Sequence, residues 1–341
     1  MSPTPEVPRG RPASEDPSST RRVAAAGPDP LRIVFMGTPE FALSCLDALL
    51  LGPDEVVGVV AQPDRPAGRG NKLTSPPTVL RARERGIPVF QPTRLKSGPF
   101  PQELVHLKPD LAVVVAYGRI LPQALLDIPR LGCINVHASL LPELRGAGPI
   151  QWSVLRGYTH TGITTMFMDV GMDTGDMLRK VEIPIPETMT AGQLHDHLAE
   201  AGAQLLRETL AHLKAGTLTR TTQDHSRATS APILKKEDGA INWGRPAKEI
   251  SWHVRGMSPW PGAFTFLNGQ RLVVHAGEVL PGAGEIGMVV DTSRGLDVAT
   301  SEGIFRITHL QVPGGKPLPA EVWLRGHAVA RGTELGAALA E

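Results

Sequence analysis

The stretch LRIVFMGTPEFALSCLDALLLG (31–52) contains the first strand and the first helix of the predicted fold. Its first seven residues form an apolar run that ends at Gly37, and the rest has the apolar spacing of a helix. Such runs, when helical segments separate them, are typical of strands buried on both faces of a parallel sheet. Further runs of this kind are VVGVVA (56–61), LAVVVA (111–116), GCINV (132–136) and ITTMFMDV (163–170).

The second half of the chain changes character after a long helical pattern. That pattern covers residues 191–216 and predicts a helix that ends at a glycine. The Thr-rich residues 217–231 carry few large apolar side chains, which indicates a linker. Further on, Asn268-Gly269 stands between two β-rich runs, as in a two-residue hairpin. The sequence therefore predicts a mostly parallel, Rossmann-like α/β domain over 31–216 and a smaller antiparallel β-barrel over 232–341.

The first 30 residues differ in composition from the rest of the chain. They contain seven prolines, no aromatic residue and no periodic apolar pattern. Such a segment buries too little apolar surface to offset the entropy that is lost on ordering. We therefore predict that residues 1–30 form a disordered extension.

The charge balance and the cysteine count restrict the class of protein. The 341 residues include 35 Lys and Arg against 34 Asp and Glu, which gives a formal net charge of +1. This balance excludes a generally polycationic nucleic-acid binder but permits a local basic patch. The two cysteines, Cys45 and Cys133, are too few for a disulfide scaffold and are typical of a reducing compartment. Because no apolar run reaches the ~18 residues needed to span a bilayer, we expect a cytoplasmic protein with no membrane segment.

Several common nucleotide and metal motifs are missing from the sequence. The first βα turn, Gly37-Thr38-Pro39-Glu40, lacks G-x-G-x-x-G and places an acidic side chain where a pyrophosphate would bind. The chain contains neither a P-loop nor a G-x-S-x-G elbow. His195 and His197 lie two residues apart on the predicted helix, so their rings point about 200° apart and do not share one ion. We therefore expect neither a nicotinamide cofactor nor a metal.

The segment CINVHASLLP (133–142) contains the polar groups best suited to catalysis. Because side chains alternate along a strand, Asn135 and His137 face one side and the apolar residues between them face the other. Both lie near the carboxyl end of the strand, where open α/β sheets bind ligands. Asn135 can donate an N–H group to a developing oxyanion, and His137 can exchange a proton near neutral pH. The alternative is a purely structural role for both, as caps or satisfied polar groups.

A second polar cluster, MDVGMDTGD (168–176), follows a predicted strand and includes two glycines, which indicates a tight loop at the same sheet edge. A carboxylate in this loop would orient His137 and relay a proton. The residues themselves do not choose among Asp169, Asp173 and Asp176. Since no Ser or Cys has an obvious base partner, the pattern favours direct attack by a nucleophile of the substrate.

Long gap-free strings make the chain similar to the methionyl-tRNA formyltransferase family. The resemblance runs from about Leu31 into the C-terminal domain and leaves out only the first 30 residues. It implies a formyltransferase fold whose OB-like C-terminal barrel grips tRNA. The strings are LRIVFMGTPEF (31–41), QPDRPAGRGNKL (62–73), VVVAYGRILP (113–122), INVHASLLPELRGAGPI (134–150), MDVGMDTGDML (168–178), KKEDGAINW (235–243) and SPWPGAF (258–264).

The resemblance also implies an activity and a set of site residues. The activity is transfer of a formyl group from 10-formyltetrahydrofolate to the α-amino group of methionyl-initiator tRNA, which gives N-formylmethionyl-tRNA for translation initiation. The implied catalytic residues are Asn135, His137 and Asp173, so the family match selects one of the three aspartates. No metal is implied, and we expect a monomer.

Two further segments acquire roles through the same resemblance. Residues Ser139, Leu140, Leu141 and Pro142 would contact the folate. The loop DRPAGRGNK (64–72) has a net charge of +2, and a solvated loop is the alternative interpretation of it. In the resembled family this loop enters the acceptor stem, which makes Arg65, Arg69 and Lys72 the expected tRNA contacts. We expect Trp243, Trp252 and Trp260 to be core residues rather than platforms for base stacking.

Three other functions stay open at this point. Another folate-dependent formyltransferase, acting on a sugar nucleotide or a purine precursor, would share the catalytic groups but would need neither the basic loop nor the C-terminal barrel. A hydrolase that releases formate from the same folate would need water in the site. A non-catalytic RNA-binding protein would not need Asn135, His137 and Asp173 together.

Overall fold

The computed structural model describes residues 20–67 and 72–336 of the chain. These residues form two regions, each built around its own buried apolar side chains. In the first region, two clusters of buried side chains lie on the two faces of one sheet, between Leu31 and Leu218. In the second region, a further cluster lies between Leu234 and Leu335.

A mixed sheet forms the centre of the first region. Nine strands of the described residues pair in the order β1-β11-β10-β9-β8-β7-β2-β3-β6, and β4 and β5 form a separate hairpin. The half from β6 to β8 is parallel, and the half from β8 to β1 is antiparallel. The predicted Rossmann-like sheet is confirmed. The strands are β1 (Thr20–Arg22), β2 (Arg32–Gly37), β3 (Glu55–Val60), β4 (Arg65–Ala67), β5 (Lys72–Thr74), β6 (Val89–Phe90), β7 (Leu111–Val115), β8 (Cys133–His137), β9 (His160–Phe167), β10 (Met177–Pro184) and β11 (Thr219–Thr221).

Helices cover both faces of this sheet. α1 and α6 pack together over one face, and α3 and α4 contribute to the cluster on the other. Burial on both faces explains why β7 is apolar along its whole length and why β2 is apolar after Arg32. β8 is equally buried but includes two polar residues, Asn135 and His137. The helices are α1 (Glu40–Leu50), α2 (Pro77–Glu84), α3 (Phe100–His106), α4 (Gln123–Leu126), α5 (Pro149–Leu155) and α6 (Ala191–Ala215).

The ends of α6 are set by its own flanking residues. The side chain of Thr190 accepts the N–H of Gln193, and the Gln193 side chain accepts the N–H of Thr190, which is a complete capping box. Gly216 ends the helix with a φ of 65°, a conformation that favours glycine. The helix predicted over 191–216 is therefore confirmed. A Cβ on Gly202 would lie 3.3 Å from Val136 Cγ1, so this glycine lets α6 pack closely on β8.

The prediction of disorder for residues 1–30 is wrong for residues 20–30. β1 pairs with β11 in antiparallel register, with Arg21 opposite Arg220. Val23 and Ala26 then donate their N–H groups to the carbonyls of Leu218 and Leu213 and pack on the core. The segment is ordered by main-chain hydrogen bonds to an existing strand edge, which composition does not indicate. Residues 1–19 lie outside the described part of the chain.

The predicted linker, 217–231, also differs from expectation because it is packed rather than free. It contains β11 and a 3₁₀ turn at His225–Arg227. Leu218, Gln223 and Ala231 are buried against the first region. The N–H of Ala231 donates to the carbonyl of Arg145 at 2.7 Å. The connection between the two regions is therefore part of the surface of the first one.

The second region is a curled antiparallel sheet, as the predicted barrel requires. Its main path runs in the order β12-β13-β16-β15-β14, and β17 pairs with β16. Isolated bridges join Leu335 to Leu267 at one edge and Glu334 to Met288 near the other, so the end of the described chain spans the open side. The predicted hairpin at Asn268-Gly269 is confirmed. The elements are α7 (Ala247–Gly256), β12 (Ala263–Leu267), β13 (Gln270–Leu280), β14 (Val289–Asp291), β15 (Leu296–Ala299), β16 (Ile304–Gln311), β17 (Leu318–Pro319) and α8 (Ala320–Leu324).

The two regions meet where α5 packs on α7. A Cβ on Gly157 would lie 2.3 Å from the Trp252 ring, so this glycine makes room for the indole. Trp243 is buried in the second core, as predicted. Trp260 is 51% exposed, so its prediction as a core residue is wrong. Among the described residues, no helix has the length and apolar character needed to cross a membrane.

Candidate active site

Strand β8 places Asn135 and His137 on one face of the sheet. Ile134 and Val136 alternate with them and lie in the core beneath α1 and α6. Asn135 is 9% exposed and His137 is 5% exposed, so both are largely withdrawn from water. Buried polar side chains need partners, and the two loops that follow β8 and β9 supply them.

Of the three aspartates in the loop after β9, the structure brings Asp173 to these side chains. Asn135 Nδ2 lies 3.4 Å from Asp173 Oδ1, and His137 Nδ1 lies 3.6 Å from Asp173 Oδ2. Asp169 accepts hydrogen bonds from Gly171 N and Thr174 Oγ1 within its own loop. Asp176 faces Arg220 at 3.6 Å. The amide, imidazole and carboxylate implied by the family resemblance therefore meet at one place.

Two acceptor groups lie next to the two ring nitrogens of His137. Its Nε2 lies 2.9 Å from the carbonyl oxygen of Leu144, and its Nδ1 faces the Asp173 carboxylate. Because a carbonyl oxygen only accepts, Nε2 carries the proton of the hydrogen bond to Leu144. The other ring nitrogen, Nδ1, is therefore the one directed at the Asp173 carboxylate.

Asp173 is held by the backbone around it as well as by these side chains. Its Oδ2 accepts the N–H of Gly146 at 2.9 Å. Its own φ is 55°, in the left-handed region, where Asp and Asn are tolerated better than other residues with a Cβ. A Cβ on Gly175 would lie 1.9 Å from the carbonyl oxygen of Phe167, so glycine is required for the loop to close. The carboxylate thus lies on a tightly constrained turn.

The segment predicted to contact folate builds the turn after β8. Ser139 is fully buried, and its hydroxyl donates to the carbonyl of Glu143 at 2.6 Å. Thr164 Oγ1 donates to the carbonyl of Ser139 at 2.7 Å and accepts the N–H of Leu141. Leu141 and Pro142 are also buried, whereas Leu140 is half-buried. These contacts fix the turn that carries Leu144 and Gly146, and a direct folate contact stays a prediction.

The basic loop begins and ends in the hairpin of β4 and β5. The backbone pairs Arg65 with Thr74, and Arg65 is exposed to solvent. At the base of the hairpin, Asp64 accepts hydrogen bonds from Gln91 at 2.7 Å and Ser75 at 2.8 Å, which lower the pKa of Asp64. Arg69 and the side chain of Lys72 lie outside the described residues, so their tRNA contacts stay predictions.

The two cysteines do not suit nucleophilic chemistry. Burial raises the pKa of both the Cys45 and the Cys133 thiols to about 12. Because the thiolate is the reactive form, neither residue is activated at neutral pH.

The sequence did not reveal Arg145 and Gln223, which hold the two loops together. Gln223 is fully buried, and its Oε1 accepts from Arg145 Nη2 at 2.6 Å. Burial lowers the pKa of Arg145, and the charges of Asp173 and Asp169 oppose this shift. Arg145 lies in a string already matched to the family, but a single glutamine in a Thr-rich linker gives no signal.

Comparisons with known proteins find relatives along most of the chain. Residues 31–210 match the family described as formyl transferase, and residues 233–328 match its C-terminal domain. The methionyl-tRNA formyltransferase of Desulfotalea psychrophila is 52% identical over 309 residues, which cover 89% of this chain and 95% of that protein. The chain belongs to the methionyl-tRNA formyltransferase family. The member from Geobacter sulfurreducens is 50% identical over 309 residues, covering 90% of this chain and 98% of that one.

Solved structures share the fold of this family member at much lower identity. WlaRD, described as a sugar 3N-formyl transferase, superposes with a TM-score of 0.62 at 15% identity and covers 84% of this chain and 99% of its own. HypX from Aquifex aeolicus, in complex with tetrahydrofolic acid, has a TM-score of 0.56 at 18% identity. That match covers 86% of this chain, which spans about half of HypX, 47% of its length. At such identity these structures show the fold.

Proposed function

We propose that the protein transfers the formyl group of 10-formyltetrahydrofolate to the α-amino group of methionyl-initiator tRNA. One observation carries the proposal: the amide of Asn135, the imidazole of His137 and the carboxylate of Asp173 converge within 3.6 Å in a chain about half identical to named methionyl-tRNA formyltransferases. We infer that the product, N-formylmethionyl-tRNA, serves translation initiation, and that the enzyme works as a monomer in the cytoplasm.

Each of the three groups has a separate task in this reaction. The neutral amine of methionine attacks the formyl carbon, a new C–N bond forms, and the bond from that carbon to N10 of the folate breaks. Asn135 retains an N–H beyond its contact with Asp173, and it donates this N–H to the oxygen on which negative charge develops. His137, held by Leu144, adds positive charge beside that oxygen. Asp173 orients the ring and helps to move the amine proton toward N10.

The residues around the site fit a folate as the formyl donor. The loops that follow β7 and β8 are neighbours at the carboxyl edge of the parallel strands, where α/β folds bind ligands, and the loop after β6 lies at the same edge beyond β2 and β3. Half-buried Leu140 borders this edge, and Tyr117, which follows β7, is buried with its hydroxyl near Arg119. A pterin carries both an apolar ring and hydrogen-bonding edges, which suits such a lining. HypX, with the same fold, is described in complex with tetrahydrofolic acid.

The rest of the chain supports an RNA-linked acceptor. We propose residues 31–216 as the catalytic domain, 217–231 as a packed linker and 232–341 as the tRNA-binding domain. An aminoacyl-tRNA needs a second contact surface far from its reacting amine, whereas a sugar nucleotide does not. The exposed hairpin that carries Arg65 lies beside the same sheet edge, since its base bonds to Gln91 just after β6.

The acceptor is tested by direct competition. Purified protein is incubated with 10-formyltetrahydrofolate and equimolar methionyl-tRNA, glycinamide ribonucleotide and an amino-sugar nucleotide. We expect the formyl group on methionyl-tRNA, with a kcat/KM at least ~10³-fold above either small acceptor, because the small acceptors lack the remote binding contacts. Formylation of a small acceptor instead, or release of free formate alone, would overturn the proposed function.

The basic loop gives a second, independent prediction. Arg69→Ala is expected to weaken methionyl-tRNA binding and to lower the slope of log K against log salt by about one, since one phosphate contact is lost. The matched control is Arg130→Ala, because Arg130 pairs with Asp110 at 2.6 Å near the opposite edge of the sheet. Binding titrations at several salt concentrations measure both quantities. If the slope of log K against log salt for Arg69→Ala equals that of the control, then this loop does not contact the tRNA.

A further inference from the structure

Gln223, in the segment that joins the two regions, contacts both loops of the active site. Its Nε2 donates to the carbonyl oxygens of Asp173 and Gly175, each at 2.8 Å. Its Oε1 accepts from Nε and Nη2 of Arg145, at 3.1 and 2.6 Å. The side chain is fully buried, so all of its hydrogen-bonding capacity is directed at these partners.

The loop that carries Asp173 has little packing of its own. Met168, at the start of the loop, packs against the core, but Val170 is 61% exposed and Met172 is 55% exposed, so the apolar side chains closest to Asp173 do not anchor it. Asp173 itself has a positive φ, a conformation that persists only where the surroundings impose it. One hydrogen bond from Gln223 goes to the carbonyl of Asp173 itself and the other to that of Gly175, so they hold the backbone from which the carboxylate projects.

Through its contact with Arg145, Gln223 is also linked to the backbone groups that bond to His137 and Asp173. Arg145 stands between Leu144, whose carbonyl holds the imidazole, and Gly146, whose N–H holds the carboxylate. Gln223 therefore bonds on one side to the Asp173 turn and on the other to the turn that aligns both catalytic groups. A displacement of about 1 Å in such a group can cost 10²-fold in rate, so this connection has catalytic consequences.

We propose that Gln223 is a positioning residue for formyl transfer, which sets the distance between Asp173 and His137 by joining their two loops. The inference rests on the proposed function, because it assumes the catalytic role of Asp173. Gln223 touches neither reacting atom; it acts through the two turns. Because it belongs to the connecting segment, the segment that leads to the tRNA-binding domain is also a part of the catalytic framework.

The test measures kcat and both KM values for Gln223→Ala. We expect kcat to fall ~10–100-fold, the usual effect of removing a residue that orients a catalytic group, with both KM values within about threefold of wild type. The matched control is Thr209→Val, which removes a fully buried hydroxyl that donates to Leu205 O at 2.7 Å within α6. The control is expected to lower the thermal unfolding midpoint to a similar degree and to leave kcat unchanged.

A double variant separates positioning from general damage. If Gln223 acts through Asp173, then Gln223→Ala adds less than about twofold to the loss already caused by Asp173→Asn. Gln223→Glu gives a second readout. Its carboxylate still accepts from Arg145 but cannot donate to the two carbonyls, and protonation restores one donor. The ratio of its kcat to that of wild type therefore rises as the pH falls.

The outcomes distinguish this inference from the proposed function. Two results would overturn the positioning role while Asp173→Asn stays inactive. One is a wild-type kcat in Gln223→Ala. The other is a double variant whose loss of kcat equals the product of the two single losses. If the wild-type protein does not formylate methionyl-tRNA, the proposed function itself fails. If Asp173→Asn is fully active, the catalytic role of Asp173 fails, and this inference fails with it.

Discussion

Replacement of His137 by alanine is expected to lower kcat for methionyl-tRNA formylation by ~10²–10⁴-fold, the range typical of a general acid–base group. The ring lies between the carbonyl of Leu144 and the carboxylate of Asp173, and the proposed mechanism uses its positive charge beside the formyl oxygen. Alanine removes this charge and leaves the Asp173 carboxylate without its cation. The measurement is single-turnover formylation with both substrates saturating.

The control for this variant is a second histidine that is bonded in a similar way. His253 Nε2 lies 3.2 Å from the carbonyl oxygen of Gly239, and burial lowers the pKa of His253. His253→Ala is expected to reduce stability by about 1–3 kcal/mol, as for a lost buried contact, without a change in kcat. A His137→Ala enzyme that is folded by circular dichroism and within about threefold of the wild-type rate would contradict the assignment of His137.

The sequence predicts the sheet, and it predicts Asn135 and His137 as the polar side chains of β8, because both depend on the local pattern of residues. Buried parallel strands are apolar throughout, so a polar residue near the end of one, such as Asn135 or His137, stands out from the pattern. Strand alternation then places both on one face, as the structure has them. The same reasoning identifies α6, whose capping residues Thr190 and Gly216 are encoded next to each end.

The remaining parts of the site depend on contacts between distant residues. Asp173, rather than Asp169 or Asp176, reaches the site because of the turn at Gly175 and the contact with Gln223. Gln223 is 50 residues away in sequence from Asp173. β1 forms because β11 offers an unpaired edge, and nothing in its own three residues requires a strand. Intrinsic propensity does not report such pairings, since they are decided by tertiary context.

Replacement of Asp173 by asparagine is expected to lower kcat ~10²–10⁴-fold, again the range for loss of a group that moves a proton. Asparagine keeps an oxygen that can accept the N–H of Gly146, now 2.9 Å from Asp173 Oδ2, and it tolerates the φ of 55°. The substitution therefore removes the charge and preserves the turn. Folate and tRNA affinities, measured by equilibrium binding, are expected to stay near wild type.

Comparison with Asp173→Ala separates the charge from the conformation. Alanine loses the same carboxylate but is disfavoured at positive φ by roughly 1–2 kcal/mol, so its unfolding midpoint should fall below that of Asp173→Asn while kcat is equally low. Equal rates with unequal stabilities would show that the reaction needs the charge of Asp173 and that the turn needs only a residue able to adopt its backbone conformation. An asparagine variant with wild-type turnover would instead mean that proton movement uses another group, and the assignment of Asp173 would fail even though its contacts with Asn135 and His137 are present.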